Sequence, residues 1–535
     1  MTPAPFAARI RRSPIPHDPD AGSDPDGAGF GLGPEVAALI AGTAGCSPYL
    51  RGLMLRERDW LADALARAPE VVLGEVLAAA ATPERAALGS ALRRAKRRVA
   101  LLTALADLGG VWSLGEVTGA LTQLADRAVD LSLKALVAEE IRRGRIPGAG
   151  ADDAADAAGM VVLAMGKMGA GELNYSSDID LVCLFDETRH DPADVAEARI
   201  AFIRVTRRMA ALLSDITDEG YVFRTDLRLR PDAAVTPVCL SMAAAEAYYE
   251  SVGRTWERAA YIKARPCAGD LAAGARFLRG LVPFVWRRHL DFAAIQDAHD
   301  MRLRIRDHKR LSGPVSVEGH NMKLGIGGIR EIEFFTQTRQ LIAGGRDPDL
   351  RLRGTVEGLA RLAEKGWVPP EVAQELTAHY REHREIEHRI QMVNDAQTHS
   401  LPASAEGLDT IARMMGEGDT AAWSARLATR LERVEALTGD FFAPGEQRAR
   451  PTLSPEAEAM VERWRSYPAL RSARGREVFA RIEPDLLTRL TAAAHAEDAL
   501  ARFDAFLAGL PTGVQLFSLF EANPQLIELI ADICG

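Results

Sequence analysis

Cysteine is scarce in this chain of 535 residues: Cys46, Cys183, Cys239, Cys267 and Cys534 follow no metal-ligand spacing and no pairing pattern. That excludes a disulfide framework and suits reduced thiols, the expectation for a cytoplasmic protein, with Cys183 simply part of an apolar core. No stretch of about eighteen apolar residues occurs, which excludes a membrane-spanning helix. Residues 1–33 contain arginines among many Pro, Asp and Gly residues but no apolar centre, so they read as a disordered tail and not as a signal peptide. The net charge of −9 is spread over the whole chain and leaves no electrostatic footprint for nucleic acid. A Walker A loop is missing too, because the one Gly-Lys pair in a glycine-rich setting, Gly166-Lys167, is followed by Met168.

The composition is that of a globular protein, since 47% of residues are hydrophobic and 26% charged. The length exceeds what one core organises, and three or four units are expected. Helical spacing of Leu and Ala marks residues 49–66, 84–108 and 114–142 as a helical prefix within 34–150. Pro and Gly punctuate residues 145–159, after which the pattern changes to an apolar strand at 160–165. A catalytic domain is expected over 151–345, then a helical bundle over 346–442 with helices at 356–365, 371–394 and 421–438. A linker is expected at 443–453. Residues 454–535 turn helical again, with a faint echo of 44–53 at 521–530. The fold class is α+β, a mixed sheet with helical surroundings.

Chemistry concentrates where Gly166-Lys167-Met168-Gly169-Ala170-Gly171 leads to Ser176-Ser177-Asp178-Ile179-Asp180 and an apolar run. Asp178 and Asp180 lie one residue apart in a strand, hence on one face and roughly 7 Å apart. Residues 221–230 alternate, with Tyr221, Phe223, Leu227 and Leu229 on one side and Arg224, Asp226, Arg228 and Arg230 on the other. The amphipathic stretch 195–216 is long enough to cross the sheet and return Asp226 beside the first two aspartates. Three carboxylates in that setting point to Mg²⁺ and to phosphoryl or nucleotidyl transfer. Backbone N–H groups around Gly166 and Gly169, Lys167, and the hydroxyls of Ser176 and Ser177 are candidates to cradle phosphates. Gly325-Ile326-Gly327-Gly328 opens a helix from about residue 329, a further anion site to which Arg330 adds charge. Glu331 and Glu333 cannot face one point equally, so one is expected near the metals and the other against an arginine. His383, Glu387 and His388 read as ordinary helix positions, with Glu385 and Arg389 an i, i+4 surface pair.

Residues 164–181, from Ala164-Met165-Gly166 to Asp180-Leu181, resemble the signature of the glutamine synthetase adenylyltransferase family, whose catalytic domains belong to the nucleotidyltransferase superfamily. Leu227-Arg228-Leu229-Arg230-Pro231, Thr255-Trp256-Glu257-Arg258, Ile262-Lys263-Ala264-Arg265 and residues 323–334 agree, and the resemblance spans roughly 35–440. Ala164 stands where the family tends to have glycine, and Asp232-Ala233-Ala234 departs from its usual glycines. The resemblance implies a nucleotidyltransferase-type sheet core and a nucleotide or phosphate role for Arg228, Arg230 and Lys263. Members usually carry two such domains, which implies that 454–535 are the helical start of a truncated second half, and Glu172-Leu173-Asn174 with Gly328-Ile329-Arg330-Glu331 is similar to the amino-terminal, adenylyl-removing copy. The implied activity is removal of AMP from adenylylated tyrosine of glutamine synthetase by phosphorolysis, with Asp178, Asp180 and Asp226 holding Mg²⁺. Implied partners are adenylylated glutamine synthetase, a PII-type signal protein, phosphate and ADP or ATP, with no nucleic acid and no membrane. The alternatives are the reverse sense, adenylylation from ATP, and a regulatory binding module for PII-type proteins.

Overall fold

The computed structural model describes residues 4–22, 30–81, 85–287 and 315–439, and 451–535 apart from 452, 494, 512, 523–525, 528–529, 532–533 and 535. Most of the expected linker and part of the expected repeat at 521–530 lie outside the described residues. The chain divides into two units, Met1–Arg288 with Leu311–Glu435, and His289–Arg310 with Ala436–Gly535.

The first unit is built on a small mixed sheet of β1 (Met160–Ala164), β2 (Ile179–Phe185), β3 (Thr225–Asp226), β4 (Cys239–Ser241) and β5 (Arg265–Gly269), ordered β3-β2-β1-β5 with β4 also on β2. β1 pairs antiparallel with β2 and with β5, whereas β3 and β4 run parallel to β2, one near each of its ends. Alternate residues of β1 and β2 enter opposite cores: Val161, Leu163, Val182 and Leu184 on one face, Val162, Ala164, Leu181, Cys183 and Phe185 on the other. Burial on both faces is why these strands read as continuous apolar runs. Cys183 is core as expected, and burial pushes its thiol up to about 12. None of the five cysteines is in a disulfide.

Helix α1 (Leu114–Arg142) covers one face; its start is fixed by a capping box in which Ser113 and Glu116 satisfy each other's backbone N–H groups. Helix α2 (Gly166–Ala170) is one short turn after β1. Helix α3 (Val195–Ser214) makes the expected crossover between β2 and β3. Helices α4 (Ile329–Ala343) and α5 (Pro370–Met392) follow the expected pattern, with Thr355–Glu364, Ala405–Met414 and Thr420–Gly439 around them. The helix expected at 49–66 is two, Pro48–Arg56 and Arg58–Leu65, broken at Glu57, whose carboxylate leaves the helix pattern to bind Arg97 and Arg98.

Two sequence expectations change here. Residues 4–22 are packed where a disordered tail is expected: Phe6 is fully buried, the Phe6 N–H bonds to the Arg67 carbonyl, and the Ile15 and Asp18 N–H groups bond to Arg413 and Gly45 carbonyls. Gly42 and Gly45 admit this strap, since a Cβ at either would overlap its backbone. Composition hides it because a few apolar residues sit among polar ones and their partners are distant. Residues 221–230, expected as one strand, pair only at Thr225–Asp226. Both Val222 and Phe223 are buried, and their N–H groups bond to Leu213 at the end of α3, which breaks the alternation.

The second unit gathers Pro455–Trp464, Ala473–Thr491, Ala496–Ala508 and Val514–Ala522 around Trp464, Phe479, Phe503 and Phe517. Asp504 accepts from both the Trp464 indole and the Tyr467 hydroxyl, which satisfies those two donors. No helix among the described residues is long and apolar enough to cross a membrane.

Candidate functional site

The parallel register sets Asp180 directly against Asp226, and Ile179 against Thr225. Antiparallel pairing of β1 with β2 folds the 165–178 loop back, so the Met165 N–H bonds to the Asp180 carbonyl. Gly166, in the left-handed region at φ +53°, lies against the Asp180 carboxylate: a Cβ there would stand 2.7 Å from Oδ2. Glycine is required at this point both by conformation and by close approach.

Burial, and then the Asp226 and Asp178 charges, push Asp180 up to about 6. Hydrogen bonds from Arg228 hold Asp226 below its ordinary value; the Arg228 Nε and Nη2 lie 2.9 and 2.5 Å from Oδ2. Lys323, missed as a site residue although its stretch stood out in the sequence, opposes the rise at Asp180. Among the described residues Lys323 forms no ion pair with either carboxylate. The Arg224 Nε donates to the Asp178 Oδ1 at 2.9 Å, and no bond of Oδ2 to a described residue appears. No group of three or more His, Cys, Asp or Glu side chains among the described residues is drawn together tightly enough to hold a metal ion. The register brings Asp180 and Asp226 together, and Arg224 holds Asp178 nearby. Two adjacent carboxylates whose repulsion raises one of them fit a divalent cation.

The unfolded chain releases the Asp180 proton at its ordinary value, 3.8, and the native state at about 6. Stability from this group is thus complete below about pH 4 and lost as the pH rises through about 6, by up to roughly 3 kcal/mol. Calorimetry of the metal-free chain should show the first unit's Tm falling across that window relative to Asp180→Asn, and Mg²⁺ abolishing the difference; parallel profiles without metal would contradict the shift.

Several predicted phosphate ligands are engaged elsewhere. Lys167 donates to both oxygens of Glu387, at 2.9 and 2.8 Å. Burial, together with Arg384 and Lys323, pushes Lys167 down to about 7 against the pull of Glu387. Glu387 remains ionised despite burial because Lys167, His399 and Arg384 surround it. Ser176 is buried; its hydroxyl donates to the Asp395 carbonyl at 2.8 Å and its N–H to Gln391. Arg230 spends its guanidinium on the carbonyls of Leu227, Ala233, Thr236 and Pro237, clamping the turn after β3. Lys263 is buried between Glu333, at 2.8 Å, and Glu172, at 3.3 Å. Gly169 serves packing, because its N–H bonds to Met165 and a Cβ would overlap the carbonyls of Lys263 and Ala164. Gly169→Ala should cost about 1–3 kcal/mol by overpacking, read as a denaturation midpoint; an unchanged midpoint would refute the tight fit.

The helix-start anion site is likewise closed. The N–H groups of Gly325, Gly328, Ile329, Arg330 and Glu331 bond to nearby carbonyls, and that of Gly327 to the Glu331 carboxylate. Glu333 pairs with Lys263 and, at 3.5 Å, with Arg330. Ser177, whose hydroxyl meets the Asp178 carbonyl at 3.2 Å, the half-exposed Arg330 and Arg228, whose side chain is 84% exposed, are the predicted ligands still turned outward. Arg389 is buried against Asp107 at 2.8 Å, so its pair with Glu385 at 3.9 Å is secondary. His388 binds the same Asp107. The missed residues Glu387, Asp107 and Asp395 had no signal in a sequence, because their partners are hundreds of positions away.

Residues 38–280 match the family model for glutamate-ammonia ligase adenylyltransferase, and 298–442 match that for GlnD PII-uridylyltransferase. The chain is 42% identical over 533 residues to a bifunctional glutamine synthetase adenylyltransferase/adenylyl-removing enzyme of Rhodopseudomonas palustris, covering 94% of the chain and 54% of the relative. It is 45% identical over 530 residues to one of Xanthobacter autotrophicus, covering 94% and 53%. The chain spans about half the length of these curated relatives.

Proposed function

We propose, for a chain that belongs to the glutamate-ammonia ligase adenylyltransferase family, that it removes AMP from the adenylylated tyrosine of glutamine synthetase by phosphorolysis. The observation that carries this reading is the register placing Asp180 beside Asp226 at the end of the glycine-rich loop. Asp180 and Asp226 would hold Mg²⁺, with the open oxygen of Asp178 beside them; a bound cation supplies neutralisation of charge on the diester oxygens. An oxygen of inorganic phosphate attacks the AMP phosphorus, a P–O bond to phosphate forms, the P–O bond to tyrosine breaks, and the products are ADP and the tyrosine side chain. The phenolate leaving group, with a pKa of about 10, needs little help from a general acid. Arg228, with its side chain 84% exposed and ion-paired to Asp226, can turn to an incoming phosphate. Ser177 and Arg330 are the remaining outward donors.

The names of the relatives include adenylyl removal and the opposite transfer. The removing sense is favoured by the likeness of Glu172-Leu173-Asn174 and residues 328–334 to the amino-terminal copy. The match of 298–442 supports a PII-type signal protein as the regulatory partner, and a cytoplasmic setting belongs to the same proposal. The test is a product assay with adenylylated glutamine synthetase, phosphate and Mg²⁺, and a parallel reaction of unmodified glutamine synthetase with ATP. Phosphate-dependent release of ADP supports the reading. AMP incorporation from ATP without ADP release in the first reaction overturns it.

A further inference from the structure

Asp395 lies just past the end of α5 with φ +49°, a left-handed backbone that few residues other than glycine adopt and that gathers at functional sites. Its carbonyl accepts the Ser176 hydroxyl at 2.8 Å. Its Oδ2 accepts the Tyr221 hydroxyl at 3.0 Å and the Lys96 ammonium at 2.9 Å, and Lys96 also stands 4.3 Å from the centre of the Tyr221 ring. A phenol has one proton. Since Tyr221 donates it to Asp395, its oxygen is left to accept, and the Arg224 Nη1 fills that role at 2.9 Å. Arg224 then donates from Nε to Asp178 and from Nη2 to the Ser176 carbonyl and hydroxyl, at 2.7 and 2.9 Å. The contacts close a ring through Ser176, Asp395, Tyr221 and Arg224, and Arg224 carries Asp178 as a branch. One side of the ring leads directly into β2 and Asp180, the other into β3 and Asp226.

We propose that Asp395 is a positioning residue that fixes the two carboxylate-bearing segments against each other and orients Asp178, acting through Tyr221 and Arg224 on the cation-holding pair. This rests on the reading of Asp180 and Asp226 as the reaction centre. The fixed direction of each donor is the physical content: removing the acceptor of the Tyr221 proton frees that hydroxyl to rotate, and Arg224 loses the partner that sets its plane against Asp178. Partners of ligands typically change metal affinity or activity about 10–100-fold when lost.

The experiment uses the full chain and Mn²⁺ as the probe, titrated by electron paramagnetic resonance, with phosphate-dependent ADP release measured in parallel. Asp395→Gly keeps the left-handed backbone and the carbonyl that binds Ser176 but deletes the carboxylate. It should weaken Mn²⁺ binding about tenfold or more and lower kcat similarly, with KM for adenylylated glutamine synthetase unchanged. Tyr221→Phe should do the same. Asp395→Asn, which tolerates the same backbone and still accepts from Tyr221, should stay within about threefold of the parent. A folded Asp395→Gly protein with parental Mn²⁺ affinity would overturn the proposal. So would an Asn variant as impaired as the Gly variant, because the effect would then belong to the charge on Lys96, and so would a parent chain that binds no Mn²⁺. A parent that binds Mn²⁺ yet releases no ADP defeats the functional reading alone, and the affinities of the variants still decide the role of Asp395.

Discussion

Asp180→Asn is expected to lower phosphate-dependent AMP removal by roughly a hundred- to a thousandfold while leaving KM for adenylylated glutamine synthetase unchanged. Asparagine keeps the shape and one acceptor oxygen, and β2 still carries the position beside β3, so the protein-binding surface is untouched. What disappears is half of the negative charge that draws a divalent cation to the sheet edge. The same substitution should raise the Tm of the metal-free chain near neutral pH, because burial and the neighbouring Asp226 make the ionised Asp180 unfavourable there. Loss of activity joined to gain of stability is the signature of a residue kept for chemistry at a cost in folding. Steady-state kinetics and calorimetry on one preparation test both halves. An Asn variant with activity within about tenfold of the parent would dismantle the cation-binding pair.

The second large effect is expected at a position with no assigned chemistry. Glu387→Ala should destabilise the first unit by about 3–5 kcal/mol, because Glu387 is fully buried and its removal strands Lys167 and Arg384 without a counter-ion. The pair Lys167→Met with Glu387→Leu should recover part of that loss, since it removes the Lys167 and Glu387 charges from the interior at once and leaves Arg384 without its Glu387 partner. The double variant also tests the reassignment of Lys167. Nucleotide affinity close to the parent's is expected if the ammonium serves Glu387, whereas a loss of affinity with stability restored would return Lys167 to the phosphate site. Denaturant midpoints and isothermal titration with ADP supply the two readouts.

The legible part of the site is local or regular. Asp178 and Asp180 one residue apart before an apolar run, and a crossing helix of sufficient length ahead of Asp226, foretell Asp226 returning beside the first two aspartates; the observed register sets it against Asp180. Gly166 before Lys167 foretells a backbone that a side chain would obstruct, and its φ of +53° agrees. The cations are less legible. Lys167, Arg230 and Lys263 look like phosphate ligands by type and position, but each is claimed by a carboxylate or by carbonyls from elsewhere in the fold. A positive charge on a motif does not reveal whether its counter-charge is a substrate or the protein.

By itself the amino-acid order determined the periodicities that make α1, α3, α4 and α5 helices and β1 and β2 doubly buried strands. Those features depend on neighbours within a few positions, and short-range geometry decides them. Tertiary structure alone decided that α5 brings Glu387 to Lys167 and that Asp395 joins Tyr221 to Ser176. It also laid residues 4–22 over Gly42 and Gly45. Each of these depends on charges and surfaces meeting across tens to hundreds of residues, where desolvation leaves an ionised or polar group little choice but to find a partner.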